Sequence, residues 1–229
     1  MLAQTIRTQR RRQARQPADY HAYVFRNGKL LGDFDNMYRY AKDIPWHQDT
    51  LCGRWHADVG RLMLKEHAPY ESILEIGCGL DYFTATLKPL AAGQRAALDA
   101  FDVSSEAIRR ARGLHSGIRF YVDDVTAVSF RPKRQYALVV VRDVFWYVFP
   151  HLEIVLSHLE GCLKPGGWLY VCQSFPALES AFIGKEVIPT PEALLAHMRP
   201  YEPVHTACLR DHRLKQDGPI LHFLGVRRK

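Results

Sequence analysis

Between residues 72 and 173 short apolar runs alternate with amphipathic stretches, and this alternation constrains the fold more than any other feature. Ser72–Ile76 (SILEI) predicts a strand running into Gly77-Cys78-Gly79, and Thr84–Leu90 the helix after it. Ala96–Phe101 reads as a second strand, followed by a helix over Ser104–Arg112 with Ser104 as N-cap. Ile118–Val122 predicts a third strand. Tyr136–Val141 (YALVVV) is almost wholly apolar, as expected of a central parallel strand buried on both faces. Leu152–Leu163 reads as a helix stopped by Pro165-Gly166-Gly167, with a fifth strand at Trp168–Gln173. Glu192–His197 reads as a helix, and Val204–Leu209 with Ile220–Val226 as two closing strands that suit a hairpin. Strands alternating with helices imply right-handed crossovers and a doubly wound, mostly parallel α/β sheet with helices on both faces. Ligands of such sheets bind at the carboxyl ends of the strands, where strand order reverses.

The chain before residue 70 has another character. Residues 20–50 are rich in aromatic and polar groups, among them Tyr20, Tyr38 and Trp46. Pro45 is expected to end a short helix near 35–42, because the residue before proline disfavours helical backbone. Leu51, Trp55, Val59, Leu62 and Leu64 form an imperfect helical stripe. The expected organisation is a basic flexible tail over 1–19, cap or lid helices over 20–69, and a ligand-binding domain over 70–229. The lid assignment centres on residues 35–56, with Tyr38, Trp46 and His47 lining it and His56 also facing the ligand.

Four strand ends carry the functional argument. At the first, Glu75 precedes the Gly77-Cys78-Gly79 turn, where missing Cβ atoms let backbone turn sharply and a ligand approach. A nicotinamide-type G-x-G-x-x-G is absent, since Tyr82 occupies its last position. An acid followed by G-x-G suits a zwitterionic, sulfonium-bearing amino acid. At the second, Asp102, beside Val103, can accept from both hydroxyls of a ribose, with Asp99 as its rival. At the third, Asp124 or Asp123 can accept from an adenine amino group, with backbone near Val125 pairing the ring. At the fourth, Arg142-Asp143 is followed by Phe145-Trp146-Tyr147, so Asp143 can orient or deprotonate an acceptor while Trp146 or Tyr147 walls the cavity.

In order, these segments resemble the class I S-adenosylmethionine (SAM)-dependent methyltransferases. ILEIGCGLDYFT is similar to their first motif, ALDAFDVSSEAIRRAR to their second, RFYVDDV to their third, YALVVVRDVFWYV and LKPGGWLYV to their fourth and fifth, over about residues 70–175. DIPWHQD followed by a helix resembles the rhizobial nodulation N-methyltransferases and their small-molecule relatives. The resemblance implies a seven-stranded sheet with a final antiparallel strand, SAM as cofactor, and S-adenosylhomocysteine as product. Glu75, Gly77, Cys78, Gly79 and Asp81 would then meet the methionine end; Asp102 and Val103 the ribose; Asp123, Asp124 and Val125 the adenine; and Arg142 the floor of the site. One departure stands out: Asp81 replaces the last glycine of the family's G-x-G-x-G.

Charge narrows the acceptor. Five arginines among the first sixteen residues supply much of the +7, and setting them aside leaves about +2. The fourth strand end reads Arg-Asp-Val-Phe rather than the Asn/Asp-Pro-Pro-aromatic run of one common type of amino-methylase, and no cysteine follows a proline. The expected acceptor is therefore a small molecule, such as an amino sugar or another specialised metabolite, methylated on nitrogen or oxygen, with nucleic acid disfavoured. The alternatives are RNA or protein methylation with the arginine tail as tether, and a SAM-binding module made non-catalytic by Asp81. Candidate bases are His47, His56, Asp143 and Tyr147. No metal is expected, because no spacing among the eleven histidines and five cysteines completes a ligand set. The scattered, odd number of cysteines fits a reducing cytoplasm, no apolar run reaches membrane-spanning length, and a monomer or homodimer is expected.

Overall fold

The computed structural model describes residues 19–51, 54–177, 180–212 and 218–228; the basic tail expected over 1–19 lies outside these but for Asp19. The N-terminal part holds α1 (His21–Val24), β1 (Phe25–Arg26) paired with β2 (Lys29–Leu30), α2 (Phe34–Tyr40), a 3-10 turn at Pro45–His47, α3 (Gln48–Leu51) and α4 (Trp55–Glu66). The alternating part follows as β3 (Ser72–Ile76), α5 (Thr84–Leu87), β4 (Ala97–Asp102), α6 (Ser105–Leu114), β5 (Arg119–Val122), β6 (Tyr136–Arg142), α7 (Phe145–Val148), α8 (Leu152–Cys162) and β7 (Leu163–Ser174). The chain closes with α9 (Pro191–Ala196), β8 (Tyr201–Leu209) and β9 (Ile220–Arg227).

Seven strands form one sheet in the order β5-β4-β3-β6-β7-β9-β8. The first five are parallel, and β9 and β8 complete it antiparallel, as the two closing strands predicted. Strand period two divides the core. Leu74, Val139, Val141 and Val171 pack with Val155 and Leu159 of α8 on one face. Ile73, Leu138, Val140 and Cys172 pack with Ala57 and Leu64 of α4 on the other. Three consecutive residues of β6, Leu138 to Val140, are fully buried. Each such side chain contributes roughly 1.5–3 kcal/mol, which anchors the strand that carries Arg142 and Asp143.

Three local expectations are revised. The helix expected to reach residue 90 ends at Leu87, and Lys88–Leu90 tightens into a 3-10 turn at Pro89, which has no N–H to donate. Pro165-Gly166-Gly167 does not precede β7 but lies within it, as the irregularity between the Tyr136–Leu163 and Leu138–Trp168 pairings. The buried face of α4 is His56, Ala57, Gly60 and Leu64, whereas Trp55 and Leu62 of the expected stripe are exposed. Small residues are required there because a Cβ on Gly60 would lie 1.9 Å from the Tyr170 hydroxyl. Close approach between helix and sheet thus overrides apolar periodicity.

Strand order reverses between β3 and β6, which are in register with Ile76 opposite Val141. On the other side Ile76 pairs with Phe101, and Asp102 pairs with Val122. The four strand ends singled out in the sequence therefore stand side by side at the reversal.

Candidate active site

The Gly77–Gly79 turn sets the site's geometry. Gly77 and Gly79 have φ of +69° and +54°, and the Gly77 and Cys78 amides both donate to the Phe101 carbonyl. A Cβ on Gly77 would strike Val144 at 2.5 Å. Asp102 is buried and accepts from the Gly79 amide at 2.9 Å and from the Ser104 amide at 2.9 Å. Burial raises its pKa, and those amide hydrogen bonds work against the shift. Glu75 is also buried, accepting from the amide and hydroxyl of Thr84. Desolvation pushes its carboxyl up, opposed chiefly by Arg142. The Arg142 guanidinium lies 3.9 Å from the centroid of the Phe83 ring, with its Nε shielded and unpartnered.

Asp81 occupies the family's third glycine position at φ +65°, a backbone region aspartate tolerates better than most residues. It is fully buried, and neither carboxylate oxygen has a hydrogen-bond partner, the nearby Thr84 hydroxyl being given to Glu75. Desolvation, then the neighbouring Glu75, push its pKa up to about 9. A buried acid without donors is costly unless a ligand completes it.

At the third strand end, Asp123 donates its amide to the Asp102 carbonyl, so its backbone adjoins the second strand end. Its carboxylate accepts from the Asp124 amide, while Asp124 accepts from the amide and hydroxyl of Thr126. Both carboxylates are part-buried and engaged within their own turn. Val125 is buried in the core and its carbonyl meets His158 Nδ1 at 2.8 Å, whereas Val103 is exposed beside Asp102.

Beyond β6, Asp143 adopts φ +53° and accepts from the Ser174 amide at 2.7 Å. Trp146 donates its indole N–H to the Ser174 carbonyl and packs edge-on to Phe175, which holds it in the wall beside Asp143. Tyr147 turns the other way, into a cluster with Phe25, Phe34 and Trp46, its ring 5.4 Å from that of Trp46. Burial raises the Tyr147 phenol far above its ordinary range, so it stays protonated. From α4, His56 reaches the same end of the sheet buried, with neither ring nitrogen partnered. Burial and then Arg142 lower its pKa, which keeps the imidazole neutral. His47 is exposed, its ring edge-on to Tyr20 outside the cover, and the structure does not bring it to the strand ends.

Two residues unremarked in the sequence complete the site. Gln48 accepts the Leu80 amide at 2.9 Å, and its side chain and the buried Tyr38 hydroxyl lie where a Cβ on Gly79 would be, at 2.2 and 2.5 Å. Asp35 on α2 accepts from Ser104, Ser105 and the Glu106 amide, bolting the cover to the N-terminus of α6, and Arg110 donates to the Tyr38 carbonyl at 2.8 Å. The cover therefore rests on the glycine turn itself. Clefts of about 260 and 250 Å³ open near the amino ends of the strands, lined by residues such as Arg119 and Trp168. They lie away from the strand ends that carry the buried carboxylates, and the chemistry belongs with the latter.

The residues fit SAM on these observations: an orphaned buried carboxylate at Asp81, a glycine turn without Cβ atoms, and Asp102 at the second strand end. A methyltransferase-domain family model matches residues 46–207. No curated protein sequence matches the chain significantly. Among solved structures, the N-methyltransferase NodS from Bradyrhizobium japonicum WM9, in complex with S-adenosylhomocysteine, superposes with a TM-score of 0.65 at 23% identity, over 82% of this chain and 94% of that one. A SAM-dependent methyltransferase from Aquifex aeolicus gives 0.59 at 14% identity, over 81% and 100%. One from Mesorhizobium loti gives 0.57 at 15%, over 77% and 100%. With the family model spanning most of the chain and the strand ends arranged as its motifs require, the protein belongs to the class I SAM-dependent methyltransferases.

Proposed function

We propose that this enzyme methylates a nitrogen or oxygen of a small organic acceptor, of the amino-sugar or specialised-metabolite kind, beneath its aromatic cover. The observation that carries the reading is the cover: Tyr20, Phe34, Tyr38, Trp46 and Tyr147 form one cluster seated on the glycine turn and reaching the fourth strand end. A compact, largely apolar enclosure excludes water and suits a small molecule better than a polyanionic backbone. The likeness to NodS, itself an N-methyltransferase, points the same way.

When bound, SAM supplies an electrophilic methyl group on a sulfonium leaving group. The chain's work is alignment, desolvation and charge placement. Asp102 would hold the ribose hydroxyls with the lone pairs its amide partners leave free. Asp81 and Glu75 offer carboxylates to the cationic methionine end, with backbone at Gly77–Gly79 in close contact and Arg142 beneath Glu75. The Asp123–Val125 backbone would hold the adenine. Asp143, held by the Ser174 amide, would orient the acceptor, and neutral His56 would take the proton the acceptor gives up. Tyr147, kept protonated, donates a hydrogen bond and walls the cavity, while Trp146 walls its far side. Gln48 and Tyr38 would have to withdraw from Gly79 to admit the cofactor, which supports residues 35–56 as a lid.

The test is a methyl-transfer assay on the full chain with a panel of amino sugars, amines and phenols, run beside bulk tRNA and a protein mixture, with SAM binding followed by calorimetry. Turnover of a small amine or hydroxyl compound is expected. Methylation confined to RNA or protein, and lost with residues 1–16, would replace this reading with the tethered one. Cofactor binding without turnover of any class would replace it with a binding module.

A further inference from the structure

At the β8 edge of the sheet, three side chains of metal-ligating type converge from distant parts of the chain. Glu66 is the last residue of α4, His67 caps that helix, and His205 lies on the edge strand β8. His205 Nε2 is 3.0 Å from Glu66 Oε2 and 3.1 Å from His67 Nε2, and the three ligand atoms all lie within 4.8 Å of one another. We propose that these residues bind a zinc-like divalent transition metal, a site separate from the methyl-transfer chemistry.

The spacing fits that ion. A tetrahedral zinc with bonds of about 2.0–2.1 Å places its ligands about 3.3 Å apart, and two of the three edges here are already near that length. Imidazole nitrogens and a carboxylate are the donors such a metal takes, and two histidines with one acid leave a fourth position for water. His205 Nε2 stands against Glu66 Oε2 and His67 Nε2 at once. One N–H or one lone pair on that nitrogen can serve only one of these neighbours, whereas a cation takes a lone pair from all three. The carbonyl-rich C-terminus of α4 adds negative potential at the same point. Trp168 stacks on the His67 ring at 4.1 Å and 24°, fixing its orientation as supporting groups of metal sites do. A 138-residue separation between His67 and His205 explains why no sequence spacing disclosed the set. The bound metal ties α4, which carries His56 at its other end, to the exposed edge of the sheet.

The experiment uses the full chain stripped with chelator, titrated with Zn²⁺ by calorimetry and with Co²⁺ by visible absorption, with Trp168 fluorescence as a local reporter. Expected results are one metal per chain, cobalt bands of tetrahedral intensity, and quenching as Co²⁺ binds. Glu66→Gln, His67→Gln and His205→Gln should each weaken Zn²⁺ binding by more than the roughly 10–100-fold that loss of a supporting hydrogen bond costs. His151→Gln, at an exposed histidine elsewhere, should not change it. Thermal melts in chelator should match the parent for Glu66→Gln, whose side chain is 63% exposed, which separates lost ligation from lost folding. Failure of the parent chain to bind Zn²⁺, or unchanged binding in Glu66→Gln and His205→Gln, overturns the proposal.

Discussion

Replacing Asp81 with asparagine should move stability and cofactor affinity in opposite directions. The folded protein holds this carboxyl at about 9 against an ordinary value of 3.8, through burial and the adjacent Glu75. Below the ordinary value both folded and unfolded chains carry the proton and the group contributes nothing to pH dependence. As pH rises past it, the unfolded chain ionises while the folded one stays protonated, so stability falls until the folded value is reached. By pH 7 this costs on the order of 4 kcal/mol, at about 1.36 kcal/mol per pH unit. Asparagine matches the neutral acid in size and tolerates the same positive φ. It should remove the penalty and raise the melting temperature at pH 7–8, by about 2–4 °C per kcal/mol recovered, with little change near pH 4. The same substitution deprives the cofactor's ammonium of a carboxylate. A charged hydrogen bond is worth roughly 1.5–3 kcal/mol, so SAM affinity should fall about 10–100-fold. In the parent enzyme, binding at pH 7 should release about one proton as Asp81 ionises against that ammonium; calorimetry in buffers of different ionisation enthalpy measures it. A gain in stability that is the same at pH 4 and pH 8, or affinity and proton release unchanged by the substitution, would refute the reasoning.

Three further outcomes are expected. Gly79→Ala puts a methyl group against Gln48 and Tyr38 at a residue with φ +54°, so a loss of about 1–2 kcal/mol in chemical denaturation and a larger proportional loss in SAM binding should appear; an unaffected SAM affinity would mean the cofactor does not approach this turn. Asp35→Ala removes the carboxylate that receives Ser104, Ser105 and the Glu106 amide and should cost about 1 kcal/mol. Desolvation opposes ionisation of Asp35, yet the Glu106 amide and the two serine hydroxyls outweigh it and hold its pKa low, so the parent's advantage over the variant should be present at neutral pH and shrink as pH falls through the folded-state value. Trp46→Ala should reduce turnover more than it lowers the melting point, and kinetics equal to the parent's would remove the lid proposal.

The sheet was legible because its strands are short, apolar and punctuated by glycine or acid, and because parallel crossovers admit few arrangements. The buried acids Asp102 and Glu75 were legible for the same reason: each lies at or next to the carboxyl end of a parallel strand. What escaped was everything fixed by contact across the chain. Gln48 reaches Leu80 across 32 residues, and Asp35 reaches Glu106 across 71; neither spacing has a local signature. The face of α4 was misread because a helix that must pass close to Tyr170 selects glycine and alanine, while apolar periodicity counts only large residues. His47 stood beside the right tryptophan, but consecutive positive φ values at Trp46 and His47 turn successive side chains apart, one into the aromatic cluster and one to solvent.

The distribution of unsatisfied polar atoms ties these observations together. Asp81, Arg142 Nε, His56 and His222 Nε2 are buried without hydrogen-bond partners. A core evolved only for packing would not retain so many, since each costs about 1–3 kcal/mol. Three of them share one neighbourhood: Arg142 acts on both His56 and His222, and His222 is driven down to about 4 by burial, then by His56 and Arg142. Arg142, Cys172 and His222 stand in register across β6, β7 and β9, with Glu75 two positions back on β3. The polar row thus runs from the cofactor's methionine end toward α4. Under the proposed function, neutral His56 would be the group on that side to take the acceptor's proton. The acceptor would then lie between this polar row and the aromatic cover, which is where its recognition should be sought first.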